Sequence, residues 1–344
     1  MPLTQLIGYL AVPRLPPQAV AAACLIGGLV ATSACVGQVG TQPQAEVVNK
    51  SLSWVRVVEK AAFSPRDTAE DVVFHGKMWI SNGYIAGGKL VRDLWSSSDG
   101  VTWELVTDNT PYDGYSKMAV YDGKIWAVKA SVWNSSDGVH WKQISQKTSF
   151  GARGYGELVV FRGRMWQIGS DEVWNTADGV KWECMNANAP FGSRSGSAVA
   201  VYRDKLWLMG GATAQASNPS EKHYPNLTTH NDVWCSSDGV KWTRVLEHSP
   251  WAERLWVVAK VYAGKLWIIG GFSNRKSANF AEAWHTEDGK IWQDYRSVPM
   301  FSPRHEVTSY VFNSSLWVVG GNMWPLMNDV WRLTLPEGDD RGKP

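Results

Sequence analysis

The chain has 344 residues, 44% of them hydrophobic, with 32 Gly, 16 Pro and a formal net charge of +2. That small charge, with no basic stripe or tract, argues against nucleic acid as a partner. The lack of any 3.6-residue periodicity excludes a helical bundle, and the 21 tryptophans point to short strands packed on aromatic rings.

In chain order, residues 1–35 read as an export signal. Ala19 to Ala34 is an apolar, Ala/Gly-rich run preceded by the single charge Arg14, of signal-peptide length and short for a membrane span. Thr32-Ser33-Ala34-Cys35 resembles a bacterial lipobox with Thr in place of the usual Leu. Cys35 is therefore the expected lipidation site, and plain cleavage after Ala34 is the alternative. Residues 36–50 read as a flexible polar tether and 336–344 as a polar tail. The expected location is the cell envelope, with the membrane touched only through a lipid anchor. Beyond Cys24 and Cys35 only Cys184 and Cys235 remain, and nothing in their spacing calls for a disulfide.

Residues 51–335 are built from repeats. A first hairpin ends on a tryptophan at Trp79, Trp126, Trp166, Trp207, Trp267 and Trp317, as in AVYDGKIW and KVYAGKLW. Successive copies lie 47, 40, 41, 60 and 50 residues apart, the spacing of propeller blades. A second hairpin follows in five repeats: WSSSDGVTW from Trp95, WNSSDGVHW from Trp133, WNTADGVKW from Trp174, WCSSDGVKW from Trp234 and WHTEDGKIW from Trp284. Asp-Gly between β-formers signals a tight turn. A two-residue turn would pair Trp103 with Ser96. A three-residue loop would set Trp95 across from Trp103, and the aromatic pair favours it. The sixth repeat stops after Asn328-Asp329-Val330-Trp331, while Ser53-Trp54-Val55-Arg56-Val57 matches the strand after each Asp-Gly. The expected fold is all-β, a six-bladed propeller whose last blade is completed by residues 51–58. Eighteen tryptophans fall at three fixed positions of the six repeats; only Trp251, Trp256 and Trp324 lie outside them.

The Gly-Lys-hydrophobic-Trp runs, the pairs Gly210-Gly211, Gly270-Gly271 and Gly320-Gly321, the Asn-Asp-Val-Trp of Asn231 and Asn328, and an Arg at the start of five of the six repeats resemble kelch repeats. They are of the bacterial six-bladed kind grouped with the central domain of galactose oxidase and with N-acetylneuraminate mutarotase. The Ser-x-Asp-Gly-x-x-Trp turn resembles the Asp-box of sialidases with one residue deleted, but it falls on the face away from the strand starts, so its Asp reads as a turn former. The copper site of galactose oxidase needs tyrosine and histidine ligands and a Cys-modified Tyr, which no remaining Cys can supply. No HExxH or GxSxG occurs, so neither a cofactor nor a metal is expected; His223 and His230 in a polar loop read as solvated.

Thirteen residues before each first-hairpin Trp stand Arg66, Asp113, Arg153, Arg194, Arg254 and Arg304. This position starts each innermost strand and so faces the central mouth. One reading makes the arginines ties to neighbouring carbonyls and blades. The other points them inward as an anion pocket, as the resemblance implies for kelch domains that bind acidic ligands. Four residues on come Glu70, Lys117 and Glu157, then Ala198, Val258 and Thr308, giving a charged side and an apolar side. A 20-residue insertion from Ala212 to Asn231 carries His223, Tyr224 and His230, and middling loops carry Phe272, Arg275, Trp324 and Tyr84. Together these raise a wall on blades 4, 5, 6 and 1. The expected ligand is an anionic small molecule, an acidic sugar or a protein partner. The alternative is a mutarotase-like or sialidase-like enzyme, with Glu157, Glu70, Asp113 and His305 as acid/base candidates by position only.

Overall fold

The computed structural model describes residues 53–151 and 156–334, which contain strands and turns and no helix, hence none long and apolar enough to cross a membrane. The expected signal, Cys35 and the tether lie outside the described residues. Six four-stranded antiparallel sheets carry the fold, and we call them blades 1 to 6. Their innermost strands are Glu70–Phe74, Lys117–Tyr121, Glu157–Phe161, Ala198–Tyr202, Val258–Tyr262 and Thr308–Phe312. Each packs against the next, and the sixth returns to the first, closing a ring.

The ring is sealed by the two ends of the described chain. Ser53–Val58 is the outer strand of blade 6, beside Leu326–Thr334, with Trp54 opposite Leu333 and Val55 opposite Arg332. Asn328 fastens the segment that leaves this strand, donating to the carbonyls of Ala61 and Phe63 at 2.9 Å each. Asn231 does the same for the carbonyls of Ser249 and Trp251 at 3.0 Å.

The hydrophobic core is divided among the interfaces between blades. Between blades 5 and 6 Trp54, Trp267, Phe301 and Trp331 pack together; between 6 and 1, Trp317, Trp103, Phe63 and Met78 do so. In all six repeats the second-strand indole donates to the carbonyl five residues back, as Trp79 does to Phe74 at 3.0 Å and Trp207 to Tyr202 at 2.9 Å. A buried tryptophan thus satisfies its one donor locally and leaves its face for the neighbouring blade.

The Asp-Gly turns differ from the expectation. Trp95 lies opposite Leu105, and Ser96 opposite Glu104, so Trp95 and Trp103 are not a cross-strand pair. Asp99 bridges a longer loop instead. Its carboxylate accepts the main-chain N–H groups of Val101 and Thr102, both at 2.8 Å, and the Ser97 hydroxyl accepts that of Gly100 at 2.8 Å. Side-chain acceptors replace the ladder bonds of a tight turn. The glycine has φ of 76° and lies flat on the second-strand tryptophan of the preceding blade, where an added Cβ would stand 2.4 Å from Trp317. Gly138, Gly179, Gly239 and Gly289 meet Trp79, Trp126, Trp166 and Trp207 in the same way. Both residues of the Asp-Gly pair are therefore required, one for the turn and one for the contact between blades.

Candidate functional site

The arginines are the first correction. Arg66, Arg194, Arg254 and Arg304 are at most 5% exposed and do not open onto the mouth. Arg194 grips Asp232 with two bonds of 2.5 and 3.0 Å and donates to the Gly210 carbonyl at 2.9 Å. Arg66 holds Asp93 at 2.6 and 2.8 Å, and Arg304 holds Asp329 at 2.6 and 3.0 Å. Arg254 reaches Glu282 at 2.7 Å through one bond. The same carboxylates accept the third-strand indoles, Trp234 on Asp232 at 2.8 Å for instance. Guanidinium, carboxylate and indole form a closed unit within one blade, so most of the guanidinium donors are spent inside the blade and the charge is already paired. Burial alone would raise the Asp232 carboxyl, but Arg194 and Trp234 hold it below the ordinary carboxylate range. Blade 2 lacks the unit at both ends. Its Asp113 is exposed, and Ser131 takes the carboxylate's place beneath Trp133. Arg153 lies outside the described residues.

The charged residues that do line the mouth sit deeper. Lys117 reaches Glu70 at 2.8 Å and Glu157 at 3.2 Å, so the sequence-derived Glu70 and Glu157 are brought together by a lysine of the blade between them. Burial first, and then the charge of Glu157, pushes the Glu70 carboxyl up to about 7 in spite of Lys117. Burial would lower Lys117, but Glu157 and Glu70 raise it above its ordinary value. Below this cluster the central channel holds a cavity of about 350 Å³ walled mainly by valines, with Asp71 and Lys260 paired at 2.6 Å.

Two residues after the arginine position, the backbone turns left-handed at each of the five described copies: Thr68, Tyr115, Gly196, Trp256 and Glu306 have φ between 50 and 65°. For a β-branched or bulky side chain this costs on the order of 1–3 kcal/mol and recurs at ligand sites. The kink joins neighbouring blades, with Trp256 N–H donating to the Gly196 carbonyl at 2.8 Å and Glu306 N–H to that of Trp256 at 3.1 Å. His305, a sequence-derived candidate, is buried beside Glu306 and donates from Nδ1 to Asn279. Asp67, across the seam, is linked to Glu306 through the Thr68 hydroxyl at 2.9 and 3.3 Å.

An aromatic wall rises over blades 4, 5 and 6. Trp256 stacks on His305 with centroids 4.9 Å apart, Tyr224 meets Trp256 edge-on at 5.8 Å, and His223 stacks on Trp324 at 5.5 Å. Phe272 supports both Trp256 and Trp324. Trp324 is 44% exposed, an apolar face turned to solvent. The long insertion is an ordered hairpin, Ala212–Ala214 on Leu227–Thr229. Buried Asn274 pins it to blade 5 through the main chain of Tyr224 and Leu227 at 2.6 to 2.8 Å. His223 and His230 bond to Ser277 and Thr213 respectively and are not brought together. Cys235 is a buried free thiol.

A closed ring of four-stranded sheets around a channel, with loops gathered at one mouth, defines a β-propeller. Residues 48–336 match the DUF6242 beta propeller domain, and the chain belongs to that family. The fold is similar to the solved structure of YjhT, with a TM-score of 0.61 and 12% identity over 81% of this chain and 97% of that one, a likeness that speaks for the fold alone. No curated protein matches the chain.

Proposed function

We propose that this propeller is an exported carbohydrate-binding protein of kelch type, and that it takes an uncharged sugar at the mouth. The reading is carried by the pairing of half-exposed rings on blades 4 to 6, Tyr224, Trp256 and Trp324, with the Glu70–Lys117–Glu157 cluster on blades 1 to 3. A sugar offers an apolar face to an aromatic platform and hydroxyls to carboxylates and ammonium groups. An anionic ligand is not supported, because the described arginines of the ring are buried against carboxylates. The kelch assignment draws support from the Gly-Gly pairs, whose positive φ brings the main chain against the arginine-bearing segment.

Thermal-shift screening against neutral, acidic and amino sugars tests the ligand class. A neutral sugar should raise the melting temperature while acidic sugars do not, and turnover assays on each hit should show no product. A shift only with acidic sugars would refute the reading, and turnover would replace binding by the epimerase or hydrolase alternative. Export through a lipidated Cys35 is part of the same proposal. A clickable fatty acid should label the wild type and not Cys35→Ser; label that persists in the variant would overturn lipidation.

A further inference from the structure

At the seam between blades 6 and 1, Asp67, His305 and Glu306 bring ligand-type atoms within 4.8 Å of one another. We propose that these three residues bind one divalent first-row transition-metal ion. The His305 ring is 2% exposed, and its orientation is fixed from behind. Its Nδ1 lies 2.7 Å from Asn279 Oδ1, and the amide is held the right way round because Asn279 Nδ2 donates to the Asn322 carbonyl at 3.1 Å. Nδ1 therefore carries the proton and Nε2 keeps its lone pair. Among the described residues Nε2 meets no hydrogen-bond partner; Glu306 Oε2 stands 3.9 Å away, beyond hydrogen-bonding range. An imidazole nitrogen on a buried ring, oriented by an outer amide and standing beside two carboxyl groups, has the form of a metal ligand.

The backbone explains how neighbours in sequence converge. In an extended strand His305 and Glu306 would point to opposite faces, but Glu306 has φ of 50° and turns its carboxyl back towards the imidazole. Asp67 is oriented in its turn by Asn322 Nδ2 at 2.7 Å and by the Thr68 hydroxyl. Charge is the missing element. The cations in reach are committed, Arg66 to Asp93 and Lys117 to Glu70 and Glu157. One imidazole nitrogen and two carboxylate oxygens suit zinc, manganese or iron better than calcium or magnesium. Donors about 2.1 Å from an ion stand roughly 3–3.5 Å apart, so the cluster closes by side-chain shifts of about an ångström.

The inference does not rest on the carbohydrate reading, and the metal alone tests it. Chelator-treated full-length protein should bind one equivalent of Zn²⁺ in calorimetry. Co²⁺ should give d–d bands without a thiolate charge-transfer band. Glu306→Gln and Asp67→Asn, which keep side-chain volume, should each weaken Zn²⁺ binding about 10- to 100-fold, while His248→Ala, at an exposed site, should leave it unchanged. No binding to the wild type, a thiolate band, or unaltered affinity in both carboxyl variants would overturn the assignment. Should one carboxyl variant fail to fold, the other and the Co²⁺ spectrum of the wild type still decide it.

Discussion

Arg194 and Asp232 illustrate how a charged residue at a repeated position becomes structural. The pair is buried, bidentate and extended by an indole, so removing one partner strands the other charge without water. Arg194→Ala should therefore lose about 3–5 kcal/mol of stability, read as a lower denaturation midpoint. A variant as stable as wild type would mean that the pair adds nothing to the blade. The sequence held the signal for this role. An acid stands two residues before the third-strand tryptophan wherever the repeat begins with Arg, as Asp93, Glu172, Asp232, Glu282 and Asp329, and Ser131 stands there where the repeat begins with Asp113. That coupling spans 27 residues between Arg66 and Asp93 and 38 between Arg194 and Asp232, so reading the arginine column alone could not reveal it. Glu70 behaves differently, because its carboxyl is raised to about 7 from an ordinary 4.5. Between those values the folded state binds more protons than the unfolded one, so stability falls as pH rises through the window. Glu70→Gln should flatten that decline in melting temperature; an unchanged slope would assign it to other groups.

At the scale of the element, the tryptophan spacing made the hairpins legible, because each indole marks a strand that must be covered by the next blade. The register of the second hairpin was not legible. Asp-Gly suggested a tight turn, whereas the Asp99 carboxylate and Ser97 hydroxyl satisfy the main-chain donors of a longer loop. The glycine's second duty, its contact with a tryptophan of another blade, depends on packing that no local pattern expresses. Gly239 would place a Cβ 2.1 Å from Trp166 and has φ of 72°, so Gly239→Ala meets both a clash and a strained backbone. It should cost about 2–4 kcal/mol and loosen the interface of blades 3 and 4 first, which hydrogen exchange would resolve. Wild-type exchange rates at that interface would refute the contact's importance.

In the whole molecule, the chain's two described ends meet in one sheet, at the outer edge of blade 6. That closure was readable because Trp54 repeats the pattern that is missing after Trp331. The left-handed positions were not, since Thr68, Tyr115, Gly196, Trp256 and Glu306 share a conformation and no chemistry. Only the folded ring shows that the column two residues beyond the arginines varies at the mouth, while the arginines themselves anchor it. The most direct test is calorimetric titration of the best neutral sugar into wild type and Trp256→Ala, with melting curves recorded for both. Trp256→Ala should lose at least tenfold in affinity, about 1.4 kcal/mol, with a melting temperature close to that of wild type. Undiminished binding in Trp256→Ala would show that the ligand does not meet the aromatic wall of the mouth.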